Sequence, residues 1–242
     1  MFALLLAITA AYTCASALGF GANVLSVALG AHLLPVDQIL PAILPTSMAL
    51  TGWIAWRHRQ DIAGRVLTRE LLPWALIGFP FGLFVFQTSD TLLLQRMLGA
   101  VVALLGLVEL LRARGSGTAE GRPLPSAASR SLLISGGFVQ GLFASGGPLV
   151  VYVLSRRGLE KGAFRATLCL LWGLLNTVLF VSYGTSGRIN EASLQLTAWV
   201  VLPMVLGLFF GQQLHRRMNL TAFRRAVDVV LLVSGVVLLV RG

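Results

Sequence analysis

The chain has 242 residues, 56% of them hydrophobic and only 12% charged, with a mean hydropathy of +0.83. A soluble globular domain is excluded, since such domains carry about a quarter of their residues as charges. The net charge of +10 and pI near 11.3 would suit a nucleic-acid partner, but the arginines stand in short loops beside apolar runs. That placement reads as membrane orientation, and nucleic acid is excluded as a partner.

The first apolar run, 2–34, is interrupted by Gly19-Phe-Gly-Ala-Asn23. It has no basic leader and continues past any cleavage site, so it is read as part of the mature fold rather than as a signal peptide. Runs at 36–56, 71–86 and 92–111 follow, candidates to cross about 30 Å of hydrocarbon. A polar stretch with Gly115, Gly117, Gly121, Pro123 and Pro125 reads as a flexible cytoplasmic linker over 113–130. Beyond it lie 131–155, broken by Gly141-Leu-Phe-Ala-Ser-Gly-Gly-Pro148, and the runs 164–183, 192–214 and 223–240.

The two sides of the linker match. Leu71-Leu-Pro-Trp-Ala-Leu-Ile-Gly78-Phe-Pro-Phe-Gly82 lies without a gap over Val200-Val-Leu-Pro-Met-Val-Leu-Gly207-Leu-Phe-Phe-Gly211, and at the same offset Gly106 falls on Gly235 and Arg112 on Arg241. Several matches in one register indicate a first repeat over 1–112 and a second over 131–242, the usual build of secondary transporters. The Gly-x-x-x-Gly pairs Gly78/Gly82 and Gly207/Gly211 read as helix-contact faces rather than chemistry.

Charge bias sets the topology. The basic loops 57–69, 112–130, 156–165 and 216–225 all belong on the cytoplasmic side, whereas the connections near His32 and Asp37, at 88–90 and at 185–191 carry little positive charge. Eight full spans would put two basic loops outside. The conflict disappears if 131–155 enters and leaves on one side, and its arm 131–142, roughly 18 Å long as a helix, reaches about the midplane. The expected fold is therefore an all-α integral membrane protein of two inverted repeats, each a re-entrant helical hairpin plus three transmembrane helices. Eight ordinary spans with tolerated glycines are the alternative.

The breaks carry the chemistry. Gly146 and Gly147 can adopt positive φ, and Pro148 suits the first position of a helix. In the hairpin model the helices starting near Asn23 and Pro148 point their N-termini at each other near the midplane, where unpaired N–H groups favour an anion. The competing reading for Gly19, Gly21, Gly146 and Gly147 is close helix contact. Arg165 either lines an inner vestibule or snorkels to headgroups. Thr46, Ser47, Thr167 and Asn176 either face a central path or bond neighbouring helices. Arg96, Glu109 and Asp228 lie at the margins of spans, where they can reach the interface or carry protons.

Other chemistries fit less well. His32, His58 and His215 are dispersed, which argues against a metal site, and Cys14 and Cys169 read as buried free thiols. An intramembrane serine protease would use Ser145, but Phe143 stands where its turn needs glycine, and no later span supplies a histidine base. No Gly-x-x-x-x-Gly-Lys-Ser/Thr motif is present, so ATP is not the driving force within this chain, and no cofactor is expected.

With Gly19-Phe-Gly-Ala-Asn23, Gly141-Leu-Phe-Ala-Ser-Gly-Gly-Pro148 and Lys161…Phe164-Arg165-Ala-Thr167 in this order, the chain resembles the TauE/SafE sulfite exporter family. The resemblance implies a multi-pass cell-membrane transporter, not an enzyme, moving small sulfur-containing anions such as sulfite or organosulfonates, often outward. It implies substrate-facing positions at Gly21, Ala22 and Asn23 in the first break and at Ser145, Gly146 and Gly147 in the second. The commoner signature is richer in glycine at the first break, where this chain has Ala22 and Asn23, and Asn23 adds an amide donor. An anion channel or a permease for another organic anion is the alternative. The expected partners are the small anion and membrane lipid, with apolar faces that suit a homodimer.

Single cysteines placed near residues 2, 120 and 240 test the topology with a membrane-impermeant thiol reagent. The expected outcome is labelling from outside at 2 and 240 and none at 120. Opposite sides for the two termini would refute the hairpin model.

Overall fold

The computed structural model describes residues 2–18, 22–114, 124–217 and 220–241, and every regular element among them is helical. The helices in chain order are α1 (Phe2–Leu18), α2 (Ala22–Gly30), α3 (Val36–Arg57), α4 (Gly64–Val66), α5 (Leu72–Thr88), α6 (Thr91–Arg114), α7 (Ser126–Phe143), α8 (Gly147–Leu154), α9 (Lys161–Thr185), α10 (Glu191–Arg217) and α11 (Leu220–Arg241). A π turn, Leu67–Leu71, joins α4 to α5 without a break. Among the described residues, five helices are long and apolar enough to cross a membrane: Val36–Arg57, Gly64–Thr88, Thr91–Leu111, Lys161–Thr185 and Glu191–Gly211. Large apolar side chains on their outer faces, such as Phe81, Phe84, Leu202 and Phe209, are exposed. In water this surface would drive aggregation, whereas in a bilayer it meets lipid.

The chain forms two compact units, and each takes residues from both sides of the 113–130 stretch. One comprises 1–43, 89–117 and 188–242, and the other 44–88 and 118–187.

In the first unit, α1 packs along α10 and α6 along α11. A Cβ on Gly207 would come within 2.6 Å of Tyr12 Cβ and 2.8 Å of Thr9 O. A Cβ on Gly106 would come within 2.7 Å of Leu232 N, and one on Gly235 would strike Ala103 N. Helix α2, only nine residues, folds back on α1, so that Leu25 and Leu29 meet Ala11 and Cys14, and Gly30 lies near Leu4. Its last carbonyls lack intrahelical donors. Ser234 Oγ donates to Ala28 O at 3.3 Å and Gln95 Nε2 to Ala31 O at 3.2 Å, tying α2 to α11 and α6. His32 Nε2 also lies 2.7 Å from Ser234 Oγ. Asp90 caps α6 by accepting from Leu93 N at 2.7 Å, and Asn190 and Ser193 cap α10 reciprocally.

In the second unit, α5 and α7 approach until their backbones touch. Cβ atoms on Gly78 and Gly82 would strike Ile134 O and Phe138 O, while those on Gly137 and Gly141 would strike Ala75 O and Phe79 O. Two Gly-x-x-x-Gly faces interlock, and no larger residue fits either of them. The reading of Gly78, Gly82 and Gly207 as contact faces is what the structure shows. Aromatic rings carry the basic ends of this unit: Arg130 lies 4.8 Å from the Trp74 ring centre and Arg156 4.5 Å from Tyr152. Arginines stacked on aromatic rings suit the headgroup level of a bilayer.

Gly78→Ala and Gly141→Ala should each lower the thermal midpoint of the purified protein, at a cost of about 1–3 kcal/mol, because a backbone carbonyl must move. Gly52→Ala is the control, since nothing lies within 4 Å of its added methyl. Equal midpoints for all three would show that the glycine contact does not hold the helices.

Candidate functional site

The second break is built by α7, α8 and α9. Helix α7 ends at Ala144, whose N–H donates to Gln140 O at 2.8 Å and whose backbone is left-handed, with φ 51 and ψ 30. The sequence points to Gly146 and Gly147 for positive φ; instead Gly146 has φ −67, Gly147 starts α8, and Ala144 bears the left-handed turn. A β-carbon there costs about 1–2 kcal/mol. Gly136 and Gly146 serve close approach. Helix α8 returns along α7, with Val150 Cγ2 only 2.9 Å from the Cβ position of Gly136 and Gly146 against Gly136 O.

The eight residues of α8 give about 12 Å of helix, too short to cross the hydrocarbon. Its first-turn N–H groups have no partners within the helix. Gly146 and Gly147 then differ sharply. A Cβ on Gly146 would hit Gly136 O, whereas Gly147 is half-exposed with nothing within 4 Å of the added atom. Of these two glycines, Gly147 is the one whose backbone is approachable.

The polar groups of the break form a directed chain. Gly146 N–H donates to Gln140 Oε1 at 3.0 Å, Gln140 Nε2 donates to Asn176 Oδ1 at 2.8 Å, and Asn176 Nδ2 is buried with no partner among the described residues. Gln140 and Asn176 are 2% and 1% exposed, so this is an interior network rather than a solvated one. Ser145 is buried too, and its hydroxyl donates to Phe143 O at 2.8 Å, which closes the turn locally. The Gly146 N–H and the Ser145 hydroxyl are therefore both committed within the protein.

Of the residues expected at the site, the structure brings Ser145, Gly146, Gly147 and Asn176 together through Gln140. Arg165 is exposed on the first turns of α9, eleven residues and so about 16 Å of helix before Asn176. It stands apart from the break. Thr46 is buried on α3. In the first break, Gly21 lies outside the described residues, Ala22 opens α2 and Asn23 is half-buried beside it. Gln140 was missed by sequence reasoning, although an amide one residue before the Gly141 break, inside a run otherwise of apolar and small residues, was its visible signal.

A separate cavity of about 390 Å³ lies between the second part of α3 and α9, lined by Met48, Trp56, Arg59, Cys169, Gly173 and Thr177 among others. None of the expected residues lines it. Trp56 at its rim is 60% exposed and carries Arg59 5.8 Å from its ring centre, and Thr177 donates to Gly173 O, so the cavity is an apolar groove with one cation at its edge.

A model of the family described as "Sulfite exporter TauE/SafE" matches residues 4–238. The chain belongs to the TauE/SafE family. Two relatives agree with this. The "Probable inner membrane transporter protein TsaS" of Comamonas testosteroni is 27% identical over 166 residues, 68% of each chain. The "Probable sulfite/organosulfonate exporter TauE" of Cupriavidus necator is 24% identical over 226 residues, 90% of this chain and 84% of that protein. No solved structure matches. As a TauE/SafE protein with these apolar helices, the chain is a multi-pass transporter of the cell membrane.

The two glycines separate by experiment. Gly146→Ala should reduce the yield of monodisperse protein and lower its thermal midpoint, because the methyl meets a carbonyl, whereas Gly147→Ala should match the wild type in both. Size-exclusion profiles and melting curves in detergent check this, and equal behaviour of the two would contradict the geometry of the break.

Proposed function

We propose that this TauE/SafE protein is a secondary transporter that exports small sulfur-containing anions, with sulfite and organosulfonates as its class, and that it holds them at the second helix break. Family membership and the relatives' names support the substrate class. The observation that carries the location is the first turn of α8, where Gly147 leaves backbone accessible and follows Gly146, which Gln140 links to the buried amide of Asn176. Helix N-termini bind oxyanions through backbone N–H groups, without a fixed cation that would hold the anion too tightly to release. Gly21, Ala22 and Asn23 are proposed to make the same kind of contact at the start of α2. Arg165, exposed and distant from the break, is proposed to steer anions from the cytoplasmic side.

The inverted-repeat reading is supported by a reciprocal exchange of helices. Gly78, from the first half of the sequence, packs on α7 of the second half, and its counterpart Gly207 packs on α1 of the first. The equivalent helices α6 and α11 pack on each other through Gly106 and Gly235. Both short helices, α2 and α8, fold back on the longer arm before them. This is how a pair of repeats, each completed by the other, would be built.

Proteoliposomes test the proposal. The wild type should move sulfite or methanesulfonate without ATP, and accumulation should respond to an imposed proton or sodium gradient. Gly147→Leu should cut transport about tenfold or more while leaving the protein folded, since a side chain would fill the space in front of the helix terminus. Gly184→Leu, equally open on α9, should transport normally. Linear, gradient-insensitive flux at channel rates would overturn the carrier reading, and undiminished transport by Gly147→Leu would overturn the location.

A further inference from the structure

The hydrogen-bond chain at the break has a polarity that its first member dictates. A backbone N–H can only donate, so the atom of Gln140 facing Gly146 must be its oxygen, and Gln140 must turn its NH₂ toward Asn176. Asn176 meets that donor with its own oxygen, which leaves its NH₂ as the last group of the chain. Side-chain amides elsewhere can be flipped without loss, and their two ends are hard to tell apart. Here a flip of either one would set donor against donor or acceptor against acceptor inside a site that water barely reaches.

We propose that Asn176 is an anion-binding residue of the transporter, that Gln140 is the positioning residue which holds its oxygen and so keeps its NH₂ uncommitted, and that this fixed polarity selects ligands bearing acceptor oxygens. The inference rests on the proposed location of the site and adds the residues that read the ligand. Two observations carry it besides the open backbone at Gly147: the directional chain Gly146, Gln140, Asn176, and the buried Asn176 Nδ2, which no described residue satisfies. A buried donor left unmade is costly, and a sulfonate or sulfite oxygen would satisfy it. A cation or a donor-only ligand would not. Selection against the wrong charge is thus built from neutral groups, so the anion is recognised without a buried arginine that would have to be desolvated on every cycle. Asn176 is 1% exposed in this conformation, so the ligand reaches it only when the surrounding helices part, as alternating access requires.

The test uses the full-length protein in lipid nanodiscs, with methanesulfonate and sulfite as probes and equilibrium dissociation constants as the readout. Asn176→Leu, nearly isosteric, removes the donor; Asn176→Ala does the same without bulk and decides the matter if the leucine variant does not fold. Both should weaken binding about 10- to 100-fold, the value of a hydrogen bond to a charged ligand. Gln140→Leu should weaken binding more in the wild-type background than once Asn176 is leucine, because the Gly146 bond is lost in both backgrounds while the part of the effect that runs through the Asn176 amide is lost only in the first. A clamp that merely held the hairpin would weaken binding equally in both backgrounds, and that result would overturn the relay. Wild-type affinity in both Asn176 variants would overturn the inference while leaving the site at α8 standing. Failure of the wild type to bind either probe would instead overturn the substrate class, and nitrate and acetate would then decide the Asn176 donor by the same comparison of variants.

Discussion

A helix cannot be broken inside an apolar medium unless its freed polar groups find partners. In this protein the constraint is met at Gly146, whose N–H is taken up by the Gln140 side chain one turn and a half earlier. That bond places α8 back along α7, since the donor and acceptor lie on opposite sides of the turn at Ala144. It also uses up the oxygen of Gln140 and so determines how Gln140 faces α9. The conformation of the turn, the return of the hairpin and the orientation of Asn176 all follow from one backbone donor needing an acceptor where water is absent.

The surrounding helices make the break tolerable. Glycines at 78, 82, 137 and 141 let α5 and α7 approach backbone to backbone, so the long arm of the hairpin is anchored by contact area rather than by polar bonds. In lipid there is little hydrophobic gain from helix association, and close van der Waals contact takes its place. The left-handed Ala144 is held against its own preference by this frame. On the proposed reading, the closely packed arm holds the tip, where Gly147 has open space, in place to meet the ligand. In the other unit α1 and α10 meet at Gly207, and α2 is tied down at its far end by Ser234 and Gln95.

Much of this was legible in the sequence because it depends on residue types that have few other uses. The run of Gly146, Gly147 and Pro148 after an apolar stretch announced a break and a new helix, and the matched Gly78/Gly82 and Gly207/Gly211 pairs announced contact faces. The roles within the break were not legible. Glycine signals both positive φ and close approach, and only the fold shows that Gly146 lies against Gly136 O while Ala144 takes the turn. The function of Gln140 depends on what stands six residues and one helix away, which composition cannot convey. Asn176 was visible as a polar residue in a span, but its unsatisfied donor exists only once Gln140 has claimed its oxygen. Arg165 drew attention by its charge, yet helical rise alone separates it from Asn176.

The most direct measurement is a structure of the protein in lipid with 2-bromoethanesulfonate, whose bromine marks the ligand by anomalous scattering. The account predicts sulfonate oxygens within hydrogen-bond distance of Asn176 Nδ2 and of the first turn of α8 at Gly147. A ligand seated instead in the groove beside Trp56 and Arg59, with no contact to Asn176, would contradict it.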